Sequence, residues 1–154
     1  MWKLLKYMNN KNTKNFFSEA EKQRLVNAIQ AAEKQTSGEI RVHLQQKCKL
    51  DPELEARQVF EKLGMTKTRE KNGILFFLST EDHRLAILGD RGIDQKVKSN
   101  FWDNTRDEML ILLSQSKYCE ALELGISHCG EKLKEFFPFH PDDKDELPND
   151  LSFS

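Results

Sequence analysis

NGILFFLSTEDHRLAILGDRGID, residues Asn72 to Asp94, contains two short apolar runs joined by a polar turn. Apolar runs of this length, bounded by turn residues, read as buried strands. Thr80 to His83 is too short for a crossover, so strand 84–89 returns antiparallel to strand 73–79 as a hairpin. The second run empties into Gly89-Asp90-Arg91-Gly92-Ile93-Asp94, which puts Asp90 and Asp94 on a loop just outside a sheet edge.

Upstream, Ile40, Val42 and Leu44 alternate with Glu39, Arg41, His43 and Gln45, the period of a strand over 38–46 with one apolar and one polar face. Asp51-Pro52 then opens a helix as an N-cap followed by proline at the first helical position, with Leu54, Val59, Phe60 and Leu63 turned inward. Strand, crossover helix and strand make a βαβ unit, so strands 38–46 and 73–79 are expected to be parallel with a right-handed crossover. Their starts and the end of strand 84–89 then lie together. Glu39, Asn72 and Asp90 share that edge with the loop Met65 to Lys71, which carries Thr66, Lys67, Thr68, Arg69 and Lys71.

Helices flank this unit. Ser18-Glu19-Ala20-Glu21 has the form of a capping box, and Leu25, Ile29 and Ala32 recur on one face of a helix that runs to about Gln35. Ser99 or Asn100 can cap a later helix holding Met109, Leu110, Leu112 and Leu113. A final helix spaces Leu122, Ile126, Cys129, Leu133 and Phe136 at helical intervals and stops at Phe137-Pro138.

With 154 residues and 38% hydrophobic content the chain reads as one domain with a core of its own. Residues 1–15 form a basic arm (Lys3, Lys6, Lys11, Lys14), 16–137 the domain, and 138–154 an acidic, extended or disordered tail. That tail has too little apolar content and too many prolines to build core. A net charge of -1 argues against a general nucleic-acid or anionic-membrane surface. Lys3 and Lys6 interrupt the apolar start, no small-residue cleavage site follows, and no run reaches the ~20 apolar residues of a membrane span, so the expected location is cytoplasmic. Cys48, Cys119 and Cys129 lack C-x-x-C spacing and read as reduced thiols.

The acidic edge is the candidate site. Calcium takes six to eight oxygens in a flexible shell and magnesium a stricter octahedron, both from carboxylates and carbonyls on loops that glycine lets approach. Glu39, Asp90 and Asp94, with Gly89 and Gly92 beside them, have that chemistry. The same residues also read as a plain turn and a solvated strand start. Asp103, in the first turn of its helix, suits capping as well as ligation, and Trp102 reads as a core anchor. Lys67, Arg69 and Lys71 can hold a phosphate beside a metal, or simply form a wet loop. No dinucleotide fingerprint, P-loop, H-E-x-x-H or G-x-S-x-G is present.

At these positions the chain resembles the TPM domain family. The matching text is Phe17-Ser18-Glu19-Ala20-Glu21, Thr36-Ser37-Gly38-Glu39-Ile40-Arg41-Val42, Asn72-Gly73-Ile74-Leu75, Gly89-Asp90-Arg91-Gly92-Ile93-Asp94 and Phe101-Trp102-Asp103, spread over residues 16–137. It is similar to the soluble, stand-alone bacterial branch. The resemblance implies an α/β fold, a three-layer α/β/α sandwich with a small mixed sheet and two C-terminal helices. It also implies a loop cleft that binds a divalent cation, calcium first and magnesium second, with Glu39, Asp90, Asp94 and Asp103 at the matching acidic positions. Plant members are described as acid phosphatases. Two functions follow: a cation-binding interaction module, monomeric, whose tails contact an unidentified protein partner, and a metal-dependent acid phosphatase. The module is favoured, since no residue is an obvious phosphoryl acceptor.

Overall fold

A computed structural model describes residues 13–141 and 147–154. Most of the basic arm and the centre of the acidic run, and with them the expectation that the two tails serve partner binding, lie outside the described residues. Helix α1 spans Glu19–Glu33, strand β1 Glu39–Gln45, helix α2 Pro52–Lys62, strand β2 Gly73–Ser79 and strand β3 Leu85–Gly89. A single-turn helix α3 (Arg91–Asp94), helices α4 (Ser99–Ser114) and α5 (Tyr118–Phe136), and a short strand β4 (Ser152–Phe153) follow, and a 3-10 turn at Met65–Lys67 lies between α2 and β2.

The strands form one sheet in the order β3-β2-β1-β4. β1 and β2 run parallel with Glu39 beside Gly73 and Gln45 beside Ser79, and β3 returns antiparallel to β2 with Gly89 beside Ile74. The βαβ unit and the hairpin are therefore as the apolar spacing predicts. Local chemistry explains the helix starts: Ser18 Oγ accepts from the Glu21 amide while Glu21 reaches back to the Ser18 amide, and Asp51 accepts from the Glu53 amide ahead of Pro52. At α4 the expected cap is not the one used. Lys98 holds the N-cap position, without a side-chain hydrogen bond, and Ser99 is already helical.

Side-chain alternation divides the sheet between two cores. Ile74, Phe76 and Leu78 face α1, α4 and α5 through Leu25, Ile29, Met109, Leu122, Ile126 and Leu133. Leu75 and Phe77 face the other way, onto Ala56, Val59 and Phe60 of α2 and onto Met65. Helices thus cover both faces, and the molecule is a three-layer α/β/α sandwich. Every β2 residue is buried, as a central strand covered on both sides requires.

The acidic tail departs from its reading as a segment without core. Leu147 and Leu151 are buried, and β4 adds to the sheet parallel to β1, with His43 beside Ser152 and Leu44 beside Phe153. The Ser154 amide donates to the Leu44 carbonyl (2.9 Å) and the Gln46 amide to the Ser154 carbonyl (3.2 Å). A few apolar residues suffice here because β1 leaves an open edge for them to pair with. They also cover the polar face of β1, where His43 is only 3% exposed and stacks on Phe77 with ring centroids 6.1 Å apart.

Among the described residues no helix is long and apolar enough to cross a membrane. All three cysteines are buried and free, and burial pushes the Cys48 and Cys119 thiols up to about 11.

Candidate functional site

The sheet edge anticipated from strand direction exists. Glu39 pairs across to Gly73, and the Asp90 amide donates to the Gly73 carbonyl (2.8 Å), so Glu39 and Asp90 flank one glycine on the same face of the sheet. Strands lie about 4.8 Å apart, which sets the two backbones roughly 10 Å from each other with no side chain between them. The floor is closed from above. A Cβ added at Gly73 would stand 3.4 Å from the Met65 carbonyl oxygen, which belongs to the loop that also brings Thr68 and Asn72.

This edge is largely buried and rich in oxygen. Glu39, Thr68 and Asn72 are each no more than 2% exposed. Asn72 Nδ2 donates to Ser37 Oγ (3.2 Å) and Glu70 Oε2 (3.3 Å), and the Ser37 hydroxyl also bonds Glu70. Asp90 uses Oδ1 to cap the Arg91 amide at 2.8 Å. Its Oδ2, with Thr68 Oγ1 and Asn72 Oδ1, is buried without a hydrogen-bond partner among the described residues. Native structures rarely leave such acceptors unmet, and each costs about 1–3 kcal/mol if nothing meets it.

Asp90 and Asp94 do not stand on a loop. Asp90 is the N-cap of α3 and Asp94 its last residue, because Gly92 lets the turn pack flush on the preceding loop: its amide donates to the Lys71 carbonyl (2.7 Å). A Cβ at Gly92 would fall 2.2 Å from the Glu70 carbonyl and 2.4 Å from that of Lys71. Asp94 Oδ1 accepts from Trp102 Nε1 at 3.0 Å, which fixes the ring that packs against the core beside Phe101. Asp103 lies in the second turn of α4, since the helix starts earlier than its sequence suggests, and it faces Arg106 at 4.0 Å.

The acidic positions thus divide into two sets. Glu39 and Asp90 flank Gly73 from the strands on either side; Asp94 and Asp103 line a cavity of about 680 Å³ that runs along β3, to which Asp90 also contributes. Among the described residues no three His, Cys, Asp or Glu side chains stand close enough to share one metal ion. A cation at this edge would draw on two carboxylates and on neutral oxygens, a mixture that calcium and magnesium accept.

The basic loop is partly committed. The Lys71 ammonium donates to the Thr66 carbonyl, and Arg69 has partners of its own. Ser37 and Glu70 were not singled out by sequence reasoning. The signal that could have found them is Glu70, the one acid among Thr66-Lys67-Thr68-Arg69-Glu70-Lys71.

Comparison with known proteins agrees with this architecture. The sequence model of the TPM domain matches residues 11–132. The chain is similar to the BA42 protein from the psychrophilic bacterium Bizionia argentinensis sp. nov., whose NMR structure superposes with a TM-score of 0.84 at 40% identity, over 90% of this chain and 96% of that one. No match was found among curated proteins. With most of its length matched by the family and its sandwich shared with that structure, the chain belongs to the TPM domain family.

Proposed function

We propose that this TPM domain is a divalent-cation-binding interaction module, with calcium the ion its edge suits best and magnesium the second. The observation that carries the reading is the trio of buried oxygens, Asp90 Oδ2, Asn72 Oδ1 and Thr68 Oγ1, that lack hydrogen-bond donors among the described residues. Carboxylate, amide and hydroxyl oxygens left without partners are the kinds of group a hard cation takes up. Glu39 and Asp90 would supply the carboxylates, and Asn72, Thr68 and the Met65 carbonyl the neutral oxygens. Calcium's flexible shell of six to eight oxygens tolerates such a mixed, wide set better than the octahedron of magnesium does. Asp94 and Asp103 would act at a distance, one holding Trp102 and the other tempering the charge of Arg106. Three buried, unpaired cysteines fit a reducing compartment such as the cytoplasm.

A calcium titration followed at each backbone amide tests this reading. The expected result is concerted movement of residues 37–39, 66–73 and 90–92, reversed by chelator and lost in Asp90→Asn. At a hundred times its dissociation constant the ion would stabilise the fold by about 2.7 kcal/mol, or on the order of 5–10 °C in melting temperature for a chain this long. Millimolar calcium, magnesium and manganese that all leave Gly73 and Asp90 unmoved would show the reading to be wrong.

A further inference from the structure

β3 ends the sheet, and its outer side has no strand beside it among the described residues. The phase of its ladder follows from two hydrogen bonds, Ser79 amide to Arg84 carbonyl (2.9 Å) and Asp90 amide to Gly73 carbonyl (2.8 Å). In an antiparallel pair the residues that bond inward alternate with those that point outward. Arg84, Ala86, Leu88 and Asp90 therefore bond β2, while Leu85, Ile87 and Gly89 turn their backbone N–H and C=O groups away from it. Proteins usually guard such an edge with lysine, proline or a bulge. Leu85-Ala86-Ile87-Leu88-Gly89 has none of these.

What surrounds the edge is a groove. α2 packs on one face of β3 and α4 approaches the other, so the strand's free side lies in the cavity of about 680 Å³ between them. The walls are acidic: Asp51, Glu53, Glu61, Asp90, Asp94 and Asp103 face it against Arg57, Arg91 and Arg106. Arg57 is already paired with Glu53 (3.2 Å) and Arg106 with Asp103 (4.0 Å), which leaves Arg91 against four carboxylates.

We infer that the β3 groove binds an extended basic peptide segment of a partner protein, which adds to the sheet as a fifth strand. Main-chain hydrogen bonds to Leu85, Ile87 and Gly89 supply the pairing, as in other cases of strand addition. Successive side chains of an added strand point to opposite faces. One set meets Asp51 and Glu61 on the α2 side, and the other meets Asp94 on the α4 side, so lysine or arginine suits both walls while acidic peptides are repelled. The inference does not depend on cation binding over Gly73.

The test uses the full chain in chelator with a heptapeptide of alternating lysine and valine as probe, followed by backbone amide shifts and hydrogen exchange. The expected result is that the Ile87 and Gly89 amides shift and gain protection. A glutamate–valine peptide, and a lysine–valine peptide N-methylated at alternate residues, should each bind at least ~10-fold more weakly. Ile87→Pro removes an outward N–H without touching the β2 ladder, as proline on an edge strand can, and should weaken the probe to the same degree; if that variant fails to fold, the N-methylated peptide carries the test. Equal binding of the N-methylated peptide, perturbations that fall away from β3, or no binding at all would overturn the inference. Concentration-dependent self-association that protects Ile87 without peptide would assign the edge to a second copy of the chain instead, and overturns it as well.

Discussion

His43 Nδ1 stands 2.7 Å from Ser152 Oγ, and the other ring nitrogen of the same imidazole stands 2.8 Å from Ser154 Oγ. One buried ring on β1 is thus held between the hydroxyls of Ser152 in β4 and Ser154 just after it, with Phe77 stacked on it. In a neutral ring one nitrogen donates to its hydroxyl and the other accepts, so one hydroxyl turns its proton to the ring and gives up its other acceptor, the Val42 carbonyl for Ser152 or Gln45 Oε1 for Ser154.

That arrangement gives stability a pH dependence. Burial, aided by the nearby cations Arg41 and Lys62, lowers the His43 pKa from its ordinary 6.5 to about 4. Between those values the unfolded chain binds the proton and the folded chain does not, so stability falls as pH is lowered. The loss begins near pH 6.5, is complete once the pH falls below about 4 and amounts to at most about 3–4 kcal/mol. Urea unfolding from pH 7 to pH 4 measures it, and His43→Gln should flatten this part of the curve. An unchanged slope in the variant would remove His43 as its source.

Truncation after Phe137 should destabilise the fold. It exposes the surface that Leu147 and Leu151 cover and strips β4 from β1. Two buried leucines contribute about 1.5–3 kcal/mol each, part of it offset by the chain entropy regained. The expected net cost is roughly 2–4 kcal/mol, seen as a melting temperature several degrees lower. A change below about 0.5 kcal/mol, the size of an ordinary surface substitution, would mean the docked tail adds nothing.

Gly92→Ala should be far more damaging than one methyl group suggests. The added carbon would collide with two backbone carbonyls, Glu70 and Lys71, neither of which can swing aside as a side chain does. Overpacking of this kind costs about 1–3 kcal/mol or more. Asp90 and its loop should shift with it, so the variant should also lose any calcium response. Chemical denaturation together with the amide spectrum of residues 68–73 reads both effects.

Hydrolysis of an aryl phosphate separates module from enzyme. If this edge were catalytic, Asp90→Asn and Glu39→Gln would each lower a metal-dependent rate by at least ~100-fold. The expected outcome is trace activity, well under ~1 per second, that survives both substitutions. Turnover at or above that rate which vanishes in either variant would move the phosphatase reading onto this edge.

The sheet was legible because its signals are local. Ile40 to Leu44, Ile74 to Leu78 and Leu85 to Leu88 carry their periods within a few residues, and the short turn at Thr80 to His83 fixes a direction. Strand direction alone then placed Glu39 and Asp90 at one end. What escaped depends on partners distant in the chain. Nothing in Leu151-Ser152-Phe153 announces a strand until the open side of β1 is known, and the α3 turn appears only once Gly92 is seen against Lys71. Asp103 shifted out of its expected turn because helix ends slide by a residue or two when no side chain caps them.

The contact between β4 and β1 also orders events during synthesis. His43 and Ser152 are 109 residues apart in the chain. A pairing so distant in sequence closes a long loop and forms slowly compared with the hairpin of β2 and β3. On the ribosome, β1, β2 and β3 emerge before β4 exists, so for several seconds at ordinary elongation rates the outer side of β1 stands without its partner strand. The backbone groups of His43 and Leu44 wait unpaired through that interval, and arrival of Ser152 and Phe153 is what engages them.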